Sequence, residues 1–392
     1  MKRSHKRRIF LDYAAGRDNP NAIYKEGRDI ARRLTLVRKK IAGVISVAGD
    51  EVFLTSGGAE ATLGLVGLVN NGDHIITTQI EHESSLNLFA EFESLGIEVT
   101  YLAPNRNGIV SVKDVEKILR PNTKLVSVMY ANNEIGTIQP IKEISRLLRS
   151  RLSVSGSFGK NPQSRRNGQF LASRPIFHSD CVQAPGLLSI NMQSLGVDLA
   201  NFSAPKFGGP VGIGFLYKRR WVKMRLPKEN AAVNLTEEMC KALVKAESKR
   251  EKEVNRLTKL RDYFIDRVLR CVPETRLNGP STTLGMSLRL ANNANFVFPI
   301  ESELLVLELD NASVAASGGA ACSNKLGLAT PKPCENESHV IMAIGKSKQE
   351  ARSSVRFSLG ADTRKCDLDY VIKLLPKIIN RHTNIWPSLK RQ

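Results

Sequence analysis

"SAPKFGGPVGIG" spans Ser203 to Gly214, and its only charged residue, Lys206, is followed by four glycines and a proline. Apolar runs flank it, "DLANFS" (198–203) before and "VGIGFLY" (211–217) after. Both read as strands, so Lys206 stands just past a strand end. A lysine in a glycine-rich loop there has two common uses: holding a phosphate, or forming an imine with a carbonyl compound. The P-loop template fails, because the glycines follow Lys206 and no Ser or Thr comes after it. The imine is the better functional reading, although a lysine judged by itself is more often a structural residue.

The same strand pattern continues outward from this loop. "EVFLTS" (51–56), "HIITTQ" (74–79), "EVTYLA" (98–103), "KLVSVMYA" (124–131) and "PIFHSD" (175–180) read as strands. Between several of them lie stretches of helical period, such as "ESSLNLFAEFESLG" and "IKEISRLLRS". Seven strands alternating with helices predict an α/β fold with a mainly parallel sheet covered on both faces. A charged helical pattern without proline then runs from Leu235 to about Leu269. After it, "ANFVFP", "ESELLVLEL", "HVIMAIG", "SSVRFSL" and "DLDYVIKLLPKII" suit a smaller α+β domain. The expected division is a large domain over 17–232, and a small domain made of 1–16 and 233–392. One segment breaks the alternation: the Ser-, Gly-, Asn- and Arg-rich stretch 149–174 reads as a basic surface insertion centred on 151–172.

Three further stretches place reactive groups at strand ends. "TSGGAEA" (55–61) between strand and helix offers free amides to an anion, though Gly-Gly before a helix is often only a turn. "HSDCVQ" (178–183) puts Asp180 where a carboxylate could face a protonated ring nitrogen; capping the next helix is an equal alternative. "EHES" puts His82 at a strand-to-helix junction, where an imidazole could stack on a flat ring or simply cap the helix. A phosphate loop, a stacking histidine, a ring-nitrogen aspartate and an imine lysine are the parts that hold pyridoxal phosphate.

In that order and at those strand ends, the chain resembles the class V aminotransferase-like enzymes, and within them the cysteine desulfurases of the NifS and IscS type. The resemblance is carried by "HIITTQIEHESSL", "VTYLAPNRNGIVS", "YANNEIGTIQPI", "HSDCVQAPG", "FSAPKFGGPVGIGFLYKRR", "SGGAACS" and "SSVRFSLG". It implies the pyridoxal 5'-phosphate-dependent transferase fold of type I. It implies that Lys206 is the imine lysine, Asp180 the pyridinium partner and His82 the stacking and proton-transferring histidine. Gln183 and Asn133 then neighbour the ring hydroxyl and the substrate, while Gly58, Ala59 and Ser203 fall at phosphate positions. Arg356 matches the arginine for the substrate carboxylate, and Cys322, in a small-residue loop, the nucleophile that takes sulfur from L-cysteine as a persulfide. Cys334, in "PKPCENES", reads as incidental.

The implied activity converts L-cysteine to L-alanine and passes sulfur to an acceptor protein of iron-sulfur cluster assembly or tRNA thiolation, in a homodimer. A selenocysteine lyase, another class V enzyme, or a non-catalytic homologue acting as a binding protein is the alternative. Three departures from the family pattern stand out. Ala59 replaces the usual threonine and Pro205 the usual histidine, both phosphate ligands. "RRWVKMRLPKENAAVNLTEEM" runs where a Gly- and Arg-rich segment normally reaches the partner subunit. The start is also short, leaving little room for a helix after the first strand.

Composition sets the outer bounds. The 392 residues, 42% of them hydrophobic, can bury a substantial core. No apolar run approaches the roughly 18 residues of a membrane span, and "MKRSHKRRIF" has no apolar signal region, so a cytoplasmic protein is expected. The formal charge of +20 comes from 58 basic against 38 acidic residues. Those basic residues are dispersed and not interleaved with aromatics, which argues against a nucleic-acid platform. The six cysteines show no CxxC pair and no zinc-like spacing with histidine.

Overall fold

The computed structural model describes residues 9–16, 19–155, 174–224, 232–281, 288–318 and 337–383. The seven strands expected from the alternation form one sheet: β1 (Val52–Thr55), β2 (His74–Thr78), β3 (Glu98–Leu102), β4 (Thr123–Ser127), β5 (Ile176–Asp180), β6 (Leu199–Ser203) and β7 (Gly214–Lys218). Their order is β1-β7-β6-β5-β4-β2-β3. The pairs from β3 to β6 are parallel, and only β7 runs against its neighbours β6 and β1. β7 follows β6 after a short loop, and a parallel return would need a crossover of about a dozen residues or more. Since β1 opposes β7, its carboxyl end lies at the same sheet edge as those of β2 to β6.

Helices cover both faces. α1 (Lys25–Ile45) turns Ile30, Leu34, Val37, Ile41 and Ile45 inward, a spacing of three and four that makes one apolar stripe. No helix precedes it among the described residues. α2 (Gly58–Leu63), α3 (Glu83–Ser94), α4 (Val112–Ile118), α5 (Ile141–Ser155) and α6 (Met192–Leu195) fill the connections. One core packs α1 and α5 against the sheet, and a second buries Leu65, Leu88, Phe89 and Phe92 on strand residues such as Ile75, Leu125 and Leu216.

α7 (Val233–Cys271) is the long charged helix, and its 39 residues extend about 58 Å. Its first turns bury Met239, Cys240 and Leu243 in the core of the large sheet. Its last turns bury Leu257, Phe264, Ile265 and Val268 in a separate core, where Phe264, Phe296 and Phe357 pack edge to face. That separate core backs a four-stranded antiparallel sheet of order β10-β11-β9-β8: β8 (Arg276–Leu277), β9 (Asn293–Val297), β10 (Ser317–Gly318) and β11 (Ser354–Ser358). α8 (Ser302–Asn311), α9 (His339–Ala343), α10 (Lys348–Arg352) and α11 (Lys365–Thr383) complete this unit. No helix among the described residues is long and apolar enough to cross a membrane.

The insertion lies mostly outside the described residues, but its two roots are visible. α5 runs back along the sheet, and Arg174 re-enters just before β5, so both roots lie at the edge opposite the carboxyl ends of the parallel strands. There Arg174 grips Asp198 with two bonds, at 2.5 and 2.6 Å, and the Phe177 amide bonds the same carboxylate at 3.0 Å.

Candidate active site

The carboxyl ends of β1, β2, β4, β5 and β6 meet at one edge, the usual place for a ligand in an open α/β sheet. β1 delivers Gly57 and Gly58, and α2 begins at once, with Ala59 exposed in its first turn. Glu60 reaches back to the Ser56 amide, and Thr62 bonds both the Gly58 carbonyl and Asn201 of β6. The loop therefore lies flat on β6 and β7. A Cβ at Gly214 would stand 2.4 Å from the Phe202 carbonyl and 2.9 Å from Gly57 Cα, so only glycine allows that approach. A Cβ on Gly58 would reach Val182 at 3.1 Å, and one on Gly57 would come within 4.0 Å of Ser203 Oγ. Gly58 and Ser203, two of the expected phosphate positions, thus lie close together beside Val182, just past β5.

Lys206 follows β6 on a single tight helical turn, Ala204–Phe207, entered through Pro205 and closed by Gly208 at φ 80°. Its side chain is exposed, while Ala204 and Phe207 on either side are buried. The turn thus fixes the backbone and frees the amine. Pro205 is exposed and offers no donor.

Asp180 ends β5. Its Oδ1 accepts from the Val182 amide at 2.9 Å, and burial pushes its pKa up while that amide and nearby His82 pull it down. A carboxylate so placed gains from a cation opposite it. Gln183 is half-buried on the following turn. His82 caps α3 through Nδ1, which lies 2.8 Å from Ser84 Oγ and accepts from the Ser84 amide at 3.2 Å. The capping role and a place beside Asp180 are therefore compatible.

The other half of the site comes from the second sheet. Arg356 on β11 donates through Nη1 to the Asn133 carbonyl at 3.2 Å, joining residues 223 apart in sequence. Its Nε is buried and has no hydrogen-bond partner among the described residues. Cys322 and Cys334 lie outside the described residues. The chain on either side of them is placed, however. Gly318 pairs with Val355 beside Arg356, Ser338 bonds the Glu134 carboxylate at 2.5 Å, and His339 Nε2 lies 2.9 Å from the Glu81 carbonyl.

Several residues here escape a reading of the sequence. Glu81, next to His82, is 1% exposed; its Oε1 accepts from Thr78 at 2.7 Å and from the Met129 amide at 2.9 Å, while Oε2 has no partner among the described residues. Burial, helped by the nearby Asp180, raises its pKa to about 8. In "EHES" the histidine carries the recognisable chemistry, and only its own burial separates the glutamate from an ordinary acid at a helix start. Of the remaining cysteines, Cys181 and Cys240 are buried and Cys366 is exposed. Burial drives the Cys181 thiol far from ionisation. No cluster among the described residues could hold a metal ion.

These groups fit pyridoxal 5'-phosphate. The flat glycine loop beside Ser203 suits a phosphate, Asp180 suits a cation, the Lys206 side chain is exposed, and the Arg356 Nε without a partner among the described residues suits a carboxylate. Comparison with known proteins points the same way. The sequence model of the aminotransferase class V family matches residues 8–155 and 169–255. The cysteine desulfurase IscS of Dictyoglomus turgidum is 36% identical over 419 residues, covering 97% of this chain and 97% of the relative. A solved NifS-like protein superimposes with a TM-score of 0.77 at 25% identity, over 92% of this chain and 91% of that one. The structure of SspA in complex with cysteine matches at TM-score 0.65 and 25% identity, over 87% and 90%.

Proposed function

The chain belongs to the class V aminotransferase family and, within it, to the cysteine desulfurases, and from that premise we propose that it takes sulfur from L-cysteine using Lys206, Asp180, His82, Arg356 and Cys322. It is a pyridoxal 5'-phosphate enzyme. When bound, the cofactor supplies the electron sink that lets an amino acid give up its Cα proton. The observation that carries the residue assignments is the meeting of Arg356 with Asn133 at the sheet edge where Asp180 and His82 stand.

The loop amides at Gly58 and Ala59 and the Ser203 hydroxyl would hold the phosphate. Asp180 would keep the ring nitrogen protonated, with His82 against the ring face and Gln183 near the ring hydroxyl. Lys206 would anchor the cofactor. Arg356 would grip the substrate carboxylate with its Nε and Nη2 edge, the two-pronged contact its geometry favours, next to Asn133. Lys206 or His82 would move the proton at the substrate Cα. The Cys322 thiolate would then attack the substrate sulfur: the S–S bond forms as the C–S bond breaks, and a proton goes to carbon. The products are L-alanine and a Cys322 persulfide, and the thiol must first be ionised.

Cys322 is assigned on its sequence setting, supported by Gly318 standing next to Arg356's strand. The sulfur acceptor would be a protein of iron-sulfur cluster assembly or tRNA thiolation. A homodimer is part of this proposal; Leu11, Ile23 and Val211, left 81 to 90% exposed, are side chains a second copy could cover. So are a cytoplasmic location and the domain division at 17–232 against 1–16 and 233–392, the latter supported by two sheets packed on separate cores. The test supplies purified protein with pyridoxal 5'-phosphate and L-cysteine and measures alanine and sulfide. Lys206→Ala should abolish the cofactor's protein-bound absorbance band and alanine formation. Cys322→Ala should keep the band and lose the alanine. Wild-type protein that binds cofactor yet makes no alanine would refute the proposal.

A further inference from the structure

We propose that Arg289 and Asn293 are positioning residues for Arg356, orienting the guanidinium that receives the substrate carboxylate; the inference rests on the desulfurase reading above. Four consecutive carbonyls of the loop carrying Asn133 accept hydrogen bonds from the second sheet and its approaches. Asn133 accepts from Arg356 Nη1 at 3.2 Å and from Asn293 Nδ2 at 3.4 Å. Glu134 accepts from Asn293 Nδ2 at 3.0 Å and Asn295 Nδ2 at 3.1 Å. Ile135 accepts from Arg289 Nη1 at 2.9 Å, and Gly136 from the Leu290 amide at 2.8 Å. Arg289, 2% exposed, also bonds the Pro280 carbonyl at 2.9 Å, Asn293 Oδ1 at 3.2 Å and the Asn278 carbonyl.

The geometry leaves the loop little freedom. Gly136 sits at φ 72°, and a Cβ there would come within 2.7 Å of Asn293 Oδ1. Asn295 faces Arg356 across the β9–β11 pairing, so two of the donors that hold the loop, Asn293 and Asn295, share one pair of strands with the arginine that would bind substrate. The Asn133 carbonyl in turn fixes Nη1, which leaves the Nε and Nη2 edge of Arg356 as the face for a carboxylate. If the loop drifted, the guanidinium could turn to satisfy its orphaned Nε elsewhere and that face would be lost. A buried guanidinium is costly to keep, and burial together with nearby Arg261 lowers the Arg289 pKa to about 9. A fold staple alone would account for Arg289 but would not distinguish carboxylate ligands from others.

That difference is the test. Cofactor-loaded protein is titrated with L-alanine, which carries the carboxylate and yields no sulfur, and with ethylamine, which lacks it, following the cofactor's absorbance. Asn293→Asp keeps the shape and removes the donor; Arg289→Lys keeps the charge and removes the fan of bonds. Both should weaken L-alanine about tenfold and change ethylamine and cofactor affinity less than twofold, with Asn293→Asp adding nothing in an Arg356→Lys background. Equal weakening of both ligands, additivity with Arg356→Lys, or unchanged L-alanine affinity in a variant that melts like wild type would overturn the inference alone. A wild-type protein that binds the two ligands equally would remove the carboxylate role of Arg356, and the inference with it.

Discussion

Replacing Glu81 by glutamine should change how stability depends on pH, in a direction the structure fixes. The carboxyl is 1% exposed, and burial raises its pKa from 4.5 to about 8. Between those values the unfolded chain releases this proton and the folded chain keeps it. Folding stability must therefore fall as pH rises through that window, by at most about 1.4 kcal/mol per pH unit from this group, and level off above it. Asp180 and Glu134 are shifted in the same direction by burial, but they are present in both proteins and largely cancel in the comparison.

Glutamine keeps an acceptor for Thr78 and the Met129 amide and never ionises. It puts an amide group where Oε2 has no partner, a cost of about 1 kcal/mol. At pH 5 the variant should be slightly less stable than wild type. Toward pH 9 it should become the more stable protein, by a few kcal/mol. Urea unfolding of the cofactor-free protein at several pH values from 5 to 9 reads this as two curves that cross. Parallel curves would show that Glu81 ionises freely in the folded state, and the burial argument would be refuted.

Two further perturbations probe neighbouring parts. Ala59→Thr would return a hydroxyl to the first turn of α2, beside the phosphate loop, and should tighten pyridoxal 5'-phosphate by about threefold to tenfold in equilibrium dialysis; unchanged or weaker binding would contradict the phosphate assignment. Asp198→Asn would leave Arg174 and Arg219 without their carboxylate at a site where Asp198 is 0% exposed, at a cost of about 3 to 5 kcal/mol. A melting temperature close to wild type would show that the roots of the insertion are held by something else.

Much of the large sheet was legible because its strands are short apolar runs set between helices of clear period. β2, "HIITT", is buried along its whole length, as a continuous run in a parallel sheet should be. The reversal of β7 was not read from the sequence, although the short loop around Lys206 leaves no room for a crossover. α1 was not among the expected elements, although Ile30, Leu34, Val37, Ile41 and Ile45 carry its period. Motif residues at strand ends, His82, Asp180, Lys206 and Gly58, could be placed because a parallel sheet sends its carboxyl ends to one edge whatever the side chains are.

The residues that were not legible share a different physics. Arg289, Asn293 and Asn295 act by donating to backbone carbonyls, and every residue type has a carbonyl, so the accepting loop leaves no mark in its own side chains. Glu81 is unusual only through what surrounds it, since the same glutamate on a solvated helix start would be a favourable charge at the positive end of the dipole. Local pattern thus names the groups that would touch a ligand. It stays silent about those that hold them, because holding is done by contacts between the two sheets, and Asn133 and Arg356, 223 positions apart, are joined by no period that could encode such a pairing.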